Sequence, residues 1–356
     1  MGSTAALILI GSLQTTFMLL VILLVLTHRR RSDRTDRERR QYSRQLEEPL
    51  RAWAVGGTSI ESLLPLFRVV PPELALESIA VHCAVRATPN ERASMARLLR
   101  AEVWMQQLID GYGARRWAVR LQAARAIAIC GLTSDRPLLA QLLRDPHTAV
   151  VSAVLATFGR MADAALVAQL LELLPDMPEY LQRRSAEALH DAADVALPAL
   201  RERVRDESDS KRLQVYLRIA AALADPRTII VCAEHASHAD SCIRALVARA
   251  CQHYFSERAH PVLEKLLADD SADVRAEAAR AIGGIRATLL IPALAAALRD
   301  RAHAVRLAAA LALASIGDAG RIALVALTDS DDRFASDTAR LVARMPRGAI
   351  RELVEI

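Results

Sequence analysis

Hydrophobic and polar positions divide the chain into one unbroken apolar run followed by many short amphipathic ones. No charged residue stands between Ala5 and Thr27. As a helix that run would extend about 34 Å, enough to cross a hydrocarbon core of about 30 Å, so residues 5–27 predict one transmembrane helix. Gly11 with Thr15 and Ser12 with Thr16 sit at small-xxx-small spacing, a pattern compatible with helix pairing or with a lone span. The rival reading, a cleaved signal peptide, wants basic residues before the apolar core. Here they follow it: His28, Arg29, Arg30, Arg31 and Arg34 open a stretch, 28–44, with eight arginines against three acidic residues. That asymmetry predicts an inner (plasma) membrane protein with its N-terminus outside and everything after Thr27 in the cytoplasm. The arginines are expected to lie against anionic lipid headgroups.

Beyond this segment the apolar positions recur at helical spacing, and the helices themselves recur. An apolar anchor begins each of eight helical runs, at Val119, Val150, Leu181, Leu213, Ile243, Val274, Val305 and Phe334, with steps of 29 to 32 residues. Five residues before the anchor stands Asp145, Asp176, Asp269, Asp300 or Asp329. Seven after it stands Ala126, Ala188, Ala220, Ala250, Ala281 or Ala312. Thirteen before it proline recurs as Pro137, Pro261 and Pro292, with Pro198 fifteen before Leu213. The aspartate suits a turn at a helix start, where a carboxylate accepts backbone N–H bonds. Arg120, Arg244, Arg275 and Arg306, directly after their anchors, are within reach of such aspartates and predict a structural ladder. The small residue at plus seven lets two helix axes approach. The proline is expected to bend a short first helix. A unit of about 31 residues with two helices cannot bury its apolar face alone, so neighbours must stack into a right-handed α-solenoid.

Composition agrees with helices: 53% of residues are hydrophobic, only 4% aromatic, and glycine numbers 13. The net charge of +5 belongs entirely to 28–44, and the chain from Gln45 onward is balanced. The basic balance therefore reads as a topology signal, and no nucleic-acid partner is expected. Five cysteines without regular spacing argue against a disulfide framework.

Runs such as Asp269-Asp-Ser-Ala-Asp-Val-Arg-Ala-Glu-Ala-Ala-Arg-Ala-Ile-Gly283 and the stretch from Asp300 to Gly317 resemble HEAT repeats, in the short bacterial form also found in phycobilisome lyases. The resemblance covers roughly 114–345 and weakens between Asp206 and Phe255. It implies an all-α fold, which with the segments read above gives a transmembrane anchor (1–27), the Arg-rich segment (28–44), degenerate N-terminal repeats acting as a cap (45–113) and a HEAT-repeat solenoid (114–356). Within 45–113, helical patterns run over Pro72 to Arg86 and Asn90 to Gln107, with breaks at Gly56-Gly57 and Pro71-Pro72. In HEAT stacks the second helices line the concave face, where partners dock.

Chemistry-bearing patterns are sparse. Cys232, His235, His238, Cys242, Cys251, His253 and His260 are dense in metal-ligand types, yet finger and ribbon spacings are absent. Cys242 and Cys251, nine residues apart on one helix, fall on opposite faces. No phosphate loop or nucleophile elbow is present, so no catalytic residue, metal or cofactor is assigned. The better candidate is a track six residues past the anchor: Arg125, Ala156, Glu187, Ile219, Arg249, Arg280, Leu311 and Arg340. Its charged members, Arg125, Glu187, Arg249, Arg280 and Arg340, are the expected protein-binding residues. Trp104, Tyr112, Trp117 and Tyr254-Phe255 are aromatic anchors that serve equally as core. The function expected is a membrane-anchored cytoplasmic scaffold that binds and organises a partner protein, such as a membrane or envelope enzyme complex. The alternative is a lyase-like or metal-dependent enzyme subunit.

Overall fold

The computed structural model of the chain describes residues 18, 40–53, 57–85, 88–254 and 257–354, which are helical with no strand among them. They divide into two compact units, Met1–Asp135 and Arg136–Ile356. Except for Met18, the expected anchor lies outside the described residues, as do Arg29, Arg30, Arg31 and Arg34. Among the described residues no helix is long and apolar enough to cross a membrane. The physical reason is length: the longest helices among the described residues have 14 residues, about 21 Å at 1.5 Å per residue. The expected placement, a single-pass inner-membrane protein with an outside N-terminus and a cytoplasmic solenoid, is corrected on this finding. Membrane and headgroup partners are not carried forward with it.

The first unit begins with α1 (residues 40–53), whose Leu46, Leu50 and Trp53 are buried at helical spacing. It continues through α2 (Leu64–Val69), α3 (Pro72–Val85), α4 (Pro89–Arg100), α5 (Val103–Asp110) and α6 (Trp117–Cys130). α4 starts on a capping box: the Glu91 backbone N–H donates to the Thr88 hydroxyl, and the Glu91 carboxylate accepts from the Thr88 backbone N–H. The pattern over Asn90 to Gln107 is two helices rather than one. Glu102 adopts an extended backbone between them, and its carboxylate takes a two-pronged bond from Arg68, at 2.9 and 2.7 Å.

In the second unit first helices alternate with second helices, and the second is the longer in every repeat but one. The first helices are α7 (Arg136–Leu143), α9 (Ala164–Leu173), α11 (Ala193–Asp206), α13 (Pro226–Ala233), α15 (His260–Leu267), α17 (Ile291–Ala297) and α19 (Asp318–Ala326). The second helices are α8 (Thr148–Met161), α10 (Glu179–Asp191), α12 (Ser210–Leu223), α14 (Ser241–Cys251), α16 (Ala272–Gly284), α18 (His303–Ser315) and α20 (Arg333–Ala343). Each second helix packs on the next, from α8 to α20, and, except for α10 on α9, within a repeat on its own first helix. The result is a two-layer helical solenoid. Helix α21 (Arg347–Val354) departs from the alternation and packs on α18 and α16.

The anchors Val150, Leu181, Leu213, Ile243, Val274 and Val305 are all buried, and so are the six alanines at plus seven. Two anchors differ. Val119 is 39% exposed, and Phe334 is 66% exposed while Ala335 takes the buried place. The prolines differ too: Pro137, Pro261 and Pro292 are second residues of α7, α15 and α17, where a missing N–H costs no helical bond, so they start helices rather than bend them. Pro198 alone of the four lies inside a helix.

A close inter-repeat approach links α16 and α18. A Cβ on Gly283 would stand 2.8 Å from Ala312 Cα. The Ser315 hydroxyl bridges the seam, at 3.3 Å from the Gly283 carbonyl and 2.7 Å from the Ala312 carbonyl. Replacing a helical glycine by alanine ordinarily gains up to about 1 kcal/mol, whereas overpacking a closed contact costs about 1–3 kcal/mol. Gly283→Ala is therefore expected to lower the thermal midpoint, as read by circular dichroism; a higher midpoint would show that the seam has slack.

Candidate functional site

Three arginines of the second helices share one arrangement. Arg244 Nη1 donates to the carbonyls of His238 (2.7 Å) and Ala239 (3.0 Å), fixing the guanidinium against its own turn. Its Nε and Nη2 then grip the Asp269 carboxylate of the next repeat at 2.7 and 2.8 Å. Asp269 passes the link on: its backbone carbonyl accepts from Arg275 Nη1 at 2.7 Å. Arg275 in turn grips Asp300 at 2.7 and 2.9 Å. The Asp300 carbonyl accepts from Arg306 Nη1 at 2.8 Å. Each carboxylate also accepts a backbone N–H two residues on, from Ser271 and Ala302, which closes the turn before the second helix.

These pairs are largely buried, so their bonds are weakly screened and geometrically fixed. The neighbouring guanidinium, joined by the turn N–H, holds the carboxyl groups of Asp269 and Asp300 below the usual aspartate range despite burial. Earlier repeats keep the position with glutamine: Gln214 reaches Asp240 at 3.0 Å, and Gln182 bonds the Leu174 and Met177 carbonyls. Arg120, in the first unit, donates to the Ala114 and Arg115 carbonyls in the same way. The ladder is thus an element of construction that consumes its charges.

The track at plus six is different. Glu187 on α10, Arg249 on α14, Arg280 on α16 and Arg340 on α20 are exposed, as is Arg125 in the first unit. The structure does not make the track continuous, because Ile219 and Leu311 at the same position are buried. Arg280 shares an exposed bond with Glu277 at 2.6 Å. Of the aromatic candidates, Trp104, Tyr112 and Tyr254 are partly buried, Trp117 is 44% exposed, and Phe255 lies outside the described residues.

The cysteine and histidine cluster is dispersed. Among the described residues no group of three or more His, Cys, Asp or Glu side chains is placed to hold a metal. Cys232 and Cys251 are buried, and burial pushes both thiols up to about 12. Cys242 is exposed on the other side of α14. The His235 ring faces the Val204 carbonyl at 2.8 Å, and His238 Nδ1 accepts from the Asp240 N–H at 3.0 Å, so backbone groups occupy both imidazoles.

With this geometry in hand, comparison with known proteins places the repeats. The HEAT-repeat family model matches residues 102–190 and 261–343, and the chain carries HEAT repeats there. The gap between the two stretches contains α11 to α14, where the helix alternation continues although the aspartate and proline offsets lapse. No curated protein matches the chain. Solved structures similar to it include an engineered protein, at 21% identity over 83% of this chain and 91% of that one, with a TM-score of 0.36. YibA of E. coli is similar at 14% identity over 73% and 99% of the two chains, with a TM-score of 0.37. A chain of the Pds5–Scc1 complex is similar at 13% identity over 80% and 56%, with a TM-score of 0.33.

Two measurements follow from this geometry. Asp300→Asn removes the charge-assisted grip on Arg275 and is expected to cost about 1.5–3 kcal/mol in urea unfolding at neutral pH. Because the folded aspartates are held below their unfolded value of about 3.9, the ladder's contribution is present above that pH and is lost as pH falls further. The variant should accordingly lose less stability on acidification than the parent; equal acid sensitivity would contradict the ladder. With iodoacetamide at neutral pH, peptide mapping should find Cys242 alkylated and Cys130, Cys232 and Cys251 protected until the chain unfolds. Alkylation of Cys251 at the rate of Cys242 would refute its burial.

Proposed function

We propose that the chain is a protein-binding scaffold whose second-helix layer presents a charged track to a polypeptide partner, and that it acts by holding that partner rather than by catalysis. The observation that supports this is a division of labour among like charges. Arg244 and Arg275 are committed to carboxylates that hold the repeats together, while Arg249 and Arg280, five residues further along the same helices, are exposed. The Arg280–Glu277 pair is an exposed i,i+3 contact, weak and screened by salt, so a partner's carboxylate can replace Glu277 at small cost. Arginine is also enriched among residues that dominate binding energy. HEAT repeats are typical of protein-interaction scaffolds, and a stack of similar helices repeats one surface position at regular intervals.

The track changes sign along the unit. Glu187 on α10 is followed by Arg249, Arg280 and Arg340 on α14, α16 and α20. A partner that fits is acidic where it lies over α14 to α20. Charge reversal at Arg249 and Arg280 tests the reading. Full-length protein and the double glutamate variant are each used to capture partners from extracts of the source cells, with bound polypeptides quantified by mass spectrometry. The expected result is at least one polypeptide whose recovery falls by about tenfold or more, equivalent to about 1.4 kcal/mol, with an unchanged far-ultraviolet spectrum. Unchanged recovery of every captured polypeptide would contradict the track.

A further inference from the structure

The ladder repeats one binding geometry, and its third copy stands open. Arg306 is fixed as Arg244 and Arg275 are, with Nη1 donating to the carbonyls of Asp300 (2.8 Å) and Arg301 (3.1 Å). In the two earlier copies that arrangement turns the Nε–Nη2 edge toward a carboxylate at 2.7 to 2.9 Å. Arg306 is only 8% exposed, yet its Nε is buried without a hydrogen-bond partner among the described residues. A guanidinium cannot shed its charge to escape this, so the free edge calls for an anion.

One residue accounts for the difference. Asp269 and Asp300 each accept the backbone N–H two positions ahead. In the last repeat Ser330 makes that bond, accepting from the Asp332 N–H at 3.3 Å. A neutral, short hydroxyl stands where the ladder has a carboxylate. The flanking Asp329 and Asp331 are exposed, and Asp332 is engaged in capping α20 through the Ala335 N–H. The Phe334 ring lies over the flat face of the guanidinium, with its centroid 4.9 Å from Arg306 Cζ. Since that ring is 66% exposed, it has room to swing aside and admit a ligand to the edge.

We propose that Arg306 is a carboxylate-binding site that takes an acidic side chain of a bound polypeptide on Nε and Nη2, as its two homologues take Asp269 and Asp300. The choice of a polypeptide over a free acid rests on the neighbourhood. Phe334 and Leu341, seven residues apart on one face of α20, are both exposed. A peptide that places an apolar residue beside its aspartate or glutamate would cover them while the acid enters. The site is independent of the arginine track, because Arg306 can be read directly whatever Arg249 and Arg280 bind.

The test uses full-length protein with ¹⁵N-labelled arginine, following each Nε–Hε signal by NMR. Arg244 and Arg275 serve as internal standards for an occupied fork. The probes are an end-blocked Asp-Leu dipeptide, its Asn-Leu counterpart and inorganic phosphate. The expected result is a saturable shift of the Arg306 signal toward the Arg244 and Arg275 positions with the aspartate probe and none with the asparagine probe. Ser330→Asp should bring the Arg306 signal to that position without any probe and abolish the response. Arg306→Lys, which keeps the charge but lacks the fork, should show no saturable binding in isothermal calorimetry. The proposal is overturned if the aspartate probe leaves the Arg306 signal unmoved. A larger response to phosphate than to the aspartate probe would overturn the carboxylate assignment. If Asp329→Asn or Asp331→Asn moved the Arg306 signal in the absence of a probe, the chain's own carboxylate would already fill the fork, and the site would not be available to a partner.

Discussion

The two-pronged contact between an arginine of one repeat and the turn aspartate of the next is the interaction on which the later solenoid depends. Helix stacking supplies apolar contacts that are non-directional. The guanidinium fork adds direction. It fits a carboxylate in one plane, and its third nitrogen is tied to its own turn by two carbonyls. Asp269 joins both links, accepting one arginine on its side chain and the next on its backbone carbonyl. Position and turn geometry are therefore set together. The same bonds that hold the turn also orient the arginine that reaches forward.

This constraint separates charges that build from charges that remain for other work. Two arginines five residues apart on α14, Arg244 and Arg249, look alike in composition and differ completely in situation. At the equivalent position of α10 and α12 stand uncharged glutamines, of which Gln214 reaches Asp240 of the next repeat and Gln182 bonds carbonyls of its own turn. Arg306 lies at the boundary between the two kinds of charge, built like a ladder member and left with an open edge.

Much of the fold was legible because its determinants are local and recur. Val150, Val274 and Val305 announce the buried face, and alanine at plus seven announces close approach, because a small residue is needed wherever two axes meet. What was hidden depended on a single-residue difference or on tertiary context. The last repeat is one residue shorter ahead of its turn, with 30 residues from Asp300 to Ser330 against 31 from Asp269 to Asp300, so Phe334 and Ala335 compete for the anchor. Both choices have apolar company, Leu341 for the first and Ala339 with Val342 for the second. Packing against α18 decides for the smaller residue. The prolines carry no label that distinguishes a bend from a start, which depends on where the turn ends. Of the track, the sequence supplies the positions, but the burial of Ile219 and Leu311 belongs to the packing of neighbours. The open fork at Arg306 was hidden, because Asp329 stands five residues before Phe334 in the sequence and Ser330 takes the aspartate's place only once Ala335 is the buried anchor.

Adjacent repeats are coupled through the guanidinium–carboxylate contact itself, over and above helix packing. A double-mutant cycle on Arg244→Gln and Asp269→Asn, measured by urea unfolding at neutral pH, isolates that coupling from the turn bonds that Asp269 makes separately. The account predicts a coupling energy of about 1–3 kcal/mol. Additivity of the two substitutions within about 0.5 kcal/mol would contradict it.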